Sequence, residues 1–350
     1  DLLVLATPLA VVSAWSIVVK PVSRPRVQER TANPIVREGD ATSWHGTVDH
    51  LGSADLVTAY LGPTPWVQLD PTGGAVNAAV LDGSATVSVV LRSTHWGRQP
   101  VPPVLVDAMS PWTAFRCAMS TPPQRLTTLP VTPAFDTAAP MRPTRGLVGI
   151  HRSTIPGEGN EFVAVRRFQP GDRIRRINWA RSLRAPELQI NATFADHDTH
   201  VALVIDGTDD YGISEGIDGR ASSTDTAVRA AGSIAEHYAR RGDRVSMRTF
   251  GSTRGHQVAA GSGQTHLRRL LDTLSQIAPA GPMRGTYRGL ADRHWAPSGA
   301  ELTVVLSPLV APEALDRAVS LGRHGAGVIV VDTLPDDITA DDDPFTALAW

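Results

Sequence analysis

The chain has 350 residues, 42% hydrophobic and 19% charged, the proportions of folded protein rather than of a disordered chain. A net charge of −2 removes any global electrostatic drive toward nucleic acid or anionic lipid, so charge must act through local clusters. Cys117 is the one cysteine, which excludes an internal disulfide and a cysteine-based zinc site.

The uncharged run from Leu2 to Val19 opens the chain. As a helix it would extend about 27 Å, near the hydrocarbon thickness of a bilayer. Residues 1–19 are therefore read as a transmembrane segment. Lys20, Arg24, Arg26 and Arg30 follow it, and positive flanks stay on the cytoplasmic side. This places the body in the cytoplasm, tethered to the cell membrane through residues 2–19.

Residues 20–35 are rich in proline and arginine and read as a linker. From 36 to 140 short alternating segments, such as ATVSVVLRST at 85–94 and PPVLVDAMSP at 102–111, are broken by Gly, Pro and Asp. That rhythm predicts an antiparallel β-sandwich. Its tryptophans, Trp66, Trp96 and Trp112, read as core or loop anchors. An arginine-rich region follows at 141–198, and an acidic tail closes the chain at 336–350.

Over 199–335 the pattern changes to apolar runs alternating with amphipathic helices. Strands are expected at 199–207, 243–250, 301–307 and 327–332, and helices at 224–242, 265–277 and 312–325. Thr224 or Asp225 would cap the first helix and Gly242 would stop it. Such alternation predicts parallel βα units, whose ligand crevice lies at the carboxyl ends of the strands. Those ends are Asp206, Phe250, Ser307 and Asp332.

The first of these strands ends in DGTDD, residues 206–210. Oxygen side chains at alternate positions, Asp206, Thr208 and Asp210, turn toward one point and suit a hard divalent cation. The spacing resembles the metal-ion-dependent adhesion site of von Willebrand factor A domains. That resemblance implies a site for Mg²⁺ or Mn²⁺, with Thr265 supplying the loop hydroxyl. Ser307 departs from it, standing where an aspartate is expected. DHDTH at 196–200 reads as a strand-entry turn, since alternation sends His197 and His200 to opposite faces.

The stretch EFVAVRRFQPGDRIRRINW at 161–179 is the most distinctive in the chain. Pro170-Gly171-Asp172 reads as a turn joining two strands, with Trp179 in the core and the arginines projecting. Seven arginines lie between 166 and 184, with Asp172 as the only acid in that span. The acidic segment 196–225 carries the opposite sign, so the arginine hairpin is expected to dock beside Asp206. The spacing of Glu161, Arg166, Gly171, Asp172, Arg176, Trp179 and Arg184 resembles the family known as domain of unknown function 58. Phe168 and Asn178 depart from it, where a tyrosine and an acid are usual.

Taken together, these features give a multidomain expectation. An N-terminal transmembrane segment precedes an antiparallel β-sandwich and an α/β doubly wound von Willebrand factor A-like domain. The family resemblance implies partnership with a MoxR-type AAA+ ATPase, in a non-catalytic adaptor that assists assembly or activation of other proteins. Two alternatives stay open: a metal-dependent hydrolase using Asp206, Asp210 and a histidine, or a protein that binds cell-envelope components. A nucleic-acid site is disfavoured because no exposed aromatics interleave with the arginines.

Overall fold

The structure is a computed structural model that describes residues 2–18, 24–110, 115–133, 156–169, 172–194, 200–251, 255–278, 300–310, 312–323 and 327–338. Gly171, His197, Trp112 and the acidic tail beyond 338 lie outside the described residues.

Helix α1 (Leu2–Val18) has 17 residues with Pro8 inside it. At 1.5 Å per residue it extends about 25 Å, short of the roughly 30 Å hydrocarbon core. Among the described residues no helix is long and apolar enough to cross a membrane. The expected transmembrane segment is therefore withdrawn.

Eleven strands follow: β1 (Arg26–Thr31), β2 (Ile35–Arg37), β3 (Ala41–Asp49), β4 (Leu56–Leu61), β5 (Val67–Asp70), β6 (Ala75–Ala79), β7 (Ala85–Ser93), β8 (Gly97–Val101), β9 (Val104–Ser110), β10 (Phe115–Ser120) and β11 (Gln124–Leu129). One sheet has the order β1-β3-β7-β5, another β10-β9-β4-β6, and a third β2-β11-β8. Period-two burial explains the packing of the first two. Trp44 and Val48 of β3 and Val87, Val89 and Leu91 of β7 share one core with Val57, Ala59 and Leu61 of β4 and Val104 and Val106 of β9. Residues read as a linker supply β1, which pairs antiparallel with β3 from Arg26 opposite Asp49 to Thr31 opposite Trp44.

Strand β12 (Pro156–Arg167) pairs antiparallel with β13 (Gln189–Phe194) as a separate two-stranded sheet. Between them the chain makes a 3-10 turn, Ile174–Arg176, and a single helical turn, α2 (Trp179–Ser182). The second strand expected at 173–179 is thus replaced by helical turns. Ile177 keeps only an isolated bridge to Ile190.

The remaining elements are β14 (His200–Asp206), α3 (Ser223–Arg240), β15 (Arg244–Phe250), β16 (Gln257–Gly261), α4 (Gln264–Leu274), β17 (Leu302–Ser307), α5 (Pro312–Arg323) and β18 (Gly327–Asp332). Their sheet has the order β16-β15-β14-β17-β18, parallel except for β16. Helices α3 and α4 cover one face through Val228, Ala231, Leu270 and Leu274, packed on Leu203, Ile205, Met247 and Leu306. Helix α5 covers the other through Ala314, Ala318 and Leu321, on Val204, Phe250 and Val305. Burial from both sides explains why β14 and β17 read as continuous apolar runs.

The expected fold class needs a wider correction than the membrane segment. The described residues are mostly strand, eighteen strands against five α-helices. Nor do they divide into a sandwich followed by an independent α/β domain. Trp96 and Leu129, both from the β-rich half, lie inside the core that α3 and α4 build on the second sheet. Alternation within each segment reports local burial and is silent about which distant surface supplies it.

Candidate functional site

Strand β14 ends in Asp206, a 5% exposed carboxylate at the place where the strand order reverses between β15 and β17. Its Oδ1 accepts from the Thr208 amide (3.0 Å) and the Thr208 hydroxyl (2.6 Å). Its Oδ2 accepts from the Ser307 hydroxyl at the end of β17 (2.7 Å). Ser307 in turn accepts from the Leu309 amide (3.1 Å). Gly251 leaves the room that Thr208 needs: its φ is +73°, and a Cβ there would overlap the Thr208 hydroxyl. Asp206 thus ties β14 to β17 and shapes the following turn.

Asp210 serves the next helix. Its Oδ1 accepts from the Ser223 hydroxyl (3.1 Å) and the Thr224 amide (2.9 Å). Ser222, rather than Thr224 or Asp225, is the N-cap of α3, and Asp225 closes a capping box with it. Thr265 is not part of this edge. It lies exposed in the first turn of α4, which follows β16. Antiparallel β16 ends with Gly261 opposite Val245, at the start of β15, so α4 begins at the opposite end of the sheet from Asp206. The four residues expected around a divalent cation are therefore divided: Asp206, Thr208 and Asp210 cluster at one end, and Thr265 is at the other.

The family signature makes its own contacts. Arg166 grips Asp172 with both guanidinium nitrogens at 2.7 Å, and Asp172 also accepts from the Gln169 amide (2.8 Å). The Arg166 fork, then the Gln169 amide, hold the Asp172 carboxyl below its ordinary range. Arg167 pairs with Glu187 at 3.1 Å. Asn178 caps α2 by accepting from the Arg181 amide (3.1 Å) and donates to Asn191 Oδ1 (2.9 Å). It therefore uses an amide donor that an acid at this position lacks. The Asp206 carboxylate, beside which the hairpin was expected to dock, is itself bonded by Thr208 and Ser307. The expectation of Trp179 in the core is corrected: it is 59% exposed, and Ile174 (70%) and Leu183 (85%) on the same segment are exposed too. Arg181 and Arg184 are exposed on the same short segment, and Arg176 is partly buried.

A group of residues that the sequence did not single out joins the two halves. Arg229 on α3 forms a fork pair with Glu38, with Nε to Oε2 at 3.1 Å and Nη2 to Oε1 at 2.5 Å. Arg37 reaches Glu236 at 3.3 Å, and Thr132 donates to the same carboxylate. Burial pushes Glu236 up, but the bonds from Thr132 and Arg37 outweigh it and leave its pKa lowered. Both His95 Nε2 and Trp96 Nε1 lie 2.8 Å from Asp225 Oδ1. Burial disfavours the charged form of each partner, yet their mutual bond and charge prevail, so the His95 pKa is raised and that of Asp225 is lowered. Gly216 approaches so closely that a Cβ would stand 2.5 Å from the Thr94 carbonyl oxygen. These partners are separated by as many as 199 positions, so no local motif could announce them.

Residues 164–339 match the family described as "Protein of unknown function DUF58", half of the chain. The chain belongs to the DUF58 family. Uncharacterized proteins of Mycobacterium tuberculosis and Mycobacterium bovis are 29% identical to this DUF58 chain over 192 residues, covering 54% of it and 51% of each relative. The chain spans about half the length of these curated relatives. Among solved structures, a complex of zinc 2-glycoprotein with prolactin-inducible protein from human seminal plasma has 14% identity, covering 31% of this chain and 99% of that one, with a TM-score of 0.24. The cupredoxin domain of amoB from Nitrosocaldus yellowstonii has 10% identity, 31% and 90% coverage, and a TM-score of 0.21. Scores this low carry no inference about this DUF58 member.

Proposed function

We propose that the chain is a non-catalytic adaptor that holds a protein partner, and that this partner is a MoxR-type AAA+ ATPase, as the family resemblance implies. The observation that carries the reading is the exposure of Ile174, Trp179 and Leu183 on one short segment that also exposes Arg181 and Arg184. Exposed aromatic and aliphatic anchors among arginines have the composition of protein interface cores. A partner surface of acidic residues around an apolar pocket fits this face. The strand-end carboxylates support the same reading, because Asp206 and Asp210 are engaged in holding β17 and α3.

Affinity capture from a lysate of the source cells, read by mass spectrometry, tests this. Recovery of a MoxR-type ATPase by the intact chain, and its loss with Trp179→Ala combined with Leu183→Ala, is the expected result. Absence of any such ATPase from the intact-chain capture retires the adaptor reading.

A further inference from the structure

A cavity of about 210 Å³ lies on the second sheet, across β14, β15 and β16. Drug-sized sites occupy roughly 300–1,000 Å³, so this one takes a compact group. Its origin is local. Between the pairs Val245–Gly261 and Met247–Val258, β15 has one residue, Ser246, and β16 has two, Ala259 and Ala260. Such a bulge bends the strand that carries the extra residue. Ala202 stands beside Ser246 in the register, and all three alanines line the cavity without filling it.

The polar groups on its wall are donors without enough acceptors. Arg248 is half-buried, yet its guanidinium has no hydrogen-bond or ion-pair partner among the described residues. A charge withdrawn from water is normally paired, so an unpaired guanidinium on a cavity wall points to an anion that completes it. Gln257 stands opposite Arg248 in the register, and its side-chain amide is likewise unbonded. Ser246 Oγ lies 2.8 Å from His200 Nε2. With the ring proton on that nitrogen, the hydroxyl hydrogen is left to donate into the cavity.

The wall also selects the sign of the ligand. Among the described residues no acid lines the cavity. Asp206, further along β14, stands outside it and is bonded by Thr208 and Ser307. Glu301, ahead of β17, is exposed and also outside the lining. A cation entering here would meet the Arg248 charge with no carboxylate to offset it.

We propose that this cavity binds a compact oxyanion, a phosphate monoester or a carboxylate, held by the Arg248 fork, the Ser246 hydroxyl and the Gln257 amide. The planar guanidinium suits either group because it can donate two parallel hydrogen bonds. The inference is independent of the adaptor reading, which rests on residues 174–184.

Titration of the full chain with methyl phosphate at fixed ionic strength, read from backbone amide chemical shifts, tests it. Acetate is the carboxylate probe and methylammonium the cationic control. Saturable shifts centred on β15 and β16 are expected from at least one anion and none from methylammonium. Arg248→Gln should weaken binding about tenfold or more, and Ser246→Ala about threefold, the losses of a charged and a neutral donor. Arg244→Gln removes an exposed arginine outside the cavity and should leave affinity within about twofold. Arg248 has no partner to lose, so Arg248→Gln should keep its melting temperature, and weakened binding in it is not loss of fold. Tighter binding of methyl phosphate assigns the site to phosphoryl groups, and tighter binding of acetate assigns it to carboxylates. No saturable shift from either anion, saturation by methylammonium at the same amides, unchanged affinity in Arg248→Gln and Ser246→Ala, or an equal loss in Arg244→Gln overturns the proposal.

Discussion

Arg229 and Glu38 face each other across the junction of the two halves, joined by two hydrogen bonds, with the Glu38 side chain wholly buried and that of Arg229 14% exposed. The pair lies beside a second one, Arg37 with Glu236, and a third, His95 with Asp225. Asp225, Arg229 and Glu236 of α3 each meet a residue from the β-rich half. The first turn and middle of α3 therefore serve as the keel on which the halves are set.

Removing Glu38 would leave the Arg229 guanidinium buried without its counter-charge. Glu38→Ala should destabilise the fold by about 3–5 kcal/mol, whereas replacing both partners with apolar residues of similar volume should cost much less. Urea denaturation of the two single variants and the double variant checks this. Additive losses in the cycle would show that the two side chains do not act as a pair.

The His95–Asp225 pair makes stability depend on pH in a defined window. The pKa of His95 is raised above its ordinary 6.5, so its contribution is complete below 6.5 and is lost as pH rises through the folded value. That of Asp225 is lowered from 3.8, so its contribution is complete above 3.8 and is lost as pH falls through the folded value. Glu236, lowered from 4.5, behaves like Asp225. The melting temperature should fall as pH is taken from 6 to 9. His95→Gln should flatten that slope. An unchanged slope in this variant would remove His95 as the cause.

The strand-end lock makes a third expectation. Ser307→Ala removes the donor to Asp206 Oδ2 and leaves a buried carboxylate oxygen unsatisfied, at a cost of about 1–3 kcal/mol. Hydrogen exchange at the amides of β14 and β17 should rise in this variant beyond the change seen at β18. Uniform exchange across the sheet would mean that Ser307 does not act at this edge.

On the Trp179 face, stability and binding should separate. Trp179→Ala and Leu183→Ala remove exposed side chains and should change unfolding free energy by no more than about 0.5 kcal/mol. Thermal melts run alongside the capture experiment measure both properties on the same samples. Marked destabilisation would show that these side chains support the fold instead of a partner.

Much of the second sheet was legible because its signals are local. The apolar run ending in Asp206 and the amphipathic pattern behind α3 each concern neighbours within one element. The family signature was legible for the same reason, since Arg166 and Asp172 are six positions apart. Local signals also misled. An uncharged run suggested a membrane span, but no described helix is long and apolar enough for one, and this one has 17 residues with Pro8 inside it. RIRRINW alternates like a strand, yet the Arg176 and Ile177 amides bond within a 3-10 turn and Trp179 faces solvent. Strand β16 was missed because QVAAG has little β-branched or aromatic character.

By itself, then, the sequence determined the main parallel strands and helices of the second sheet and the family, because period and motif spacing are properties of contiguous residues. Only the tertiary structure decided that Trp96 and Leu129 complete a core begun a hundred residues later, and that Glu38 neutralises Arg229. It also decided that Thr265 begins its helix at the far end of the sheet from Asp206, because β16 runs antiparallel. Burial and charge pairing between distant segments depend on which surfaces meet. That choice is made by the whole folded chain, at a separation where no local pattern records it.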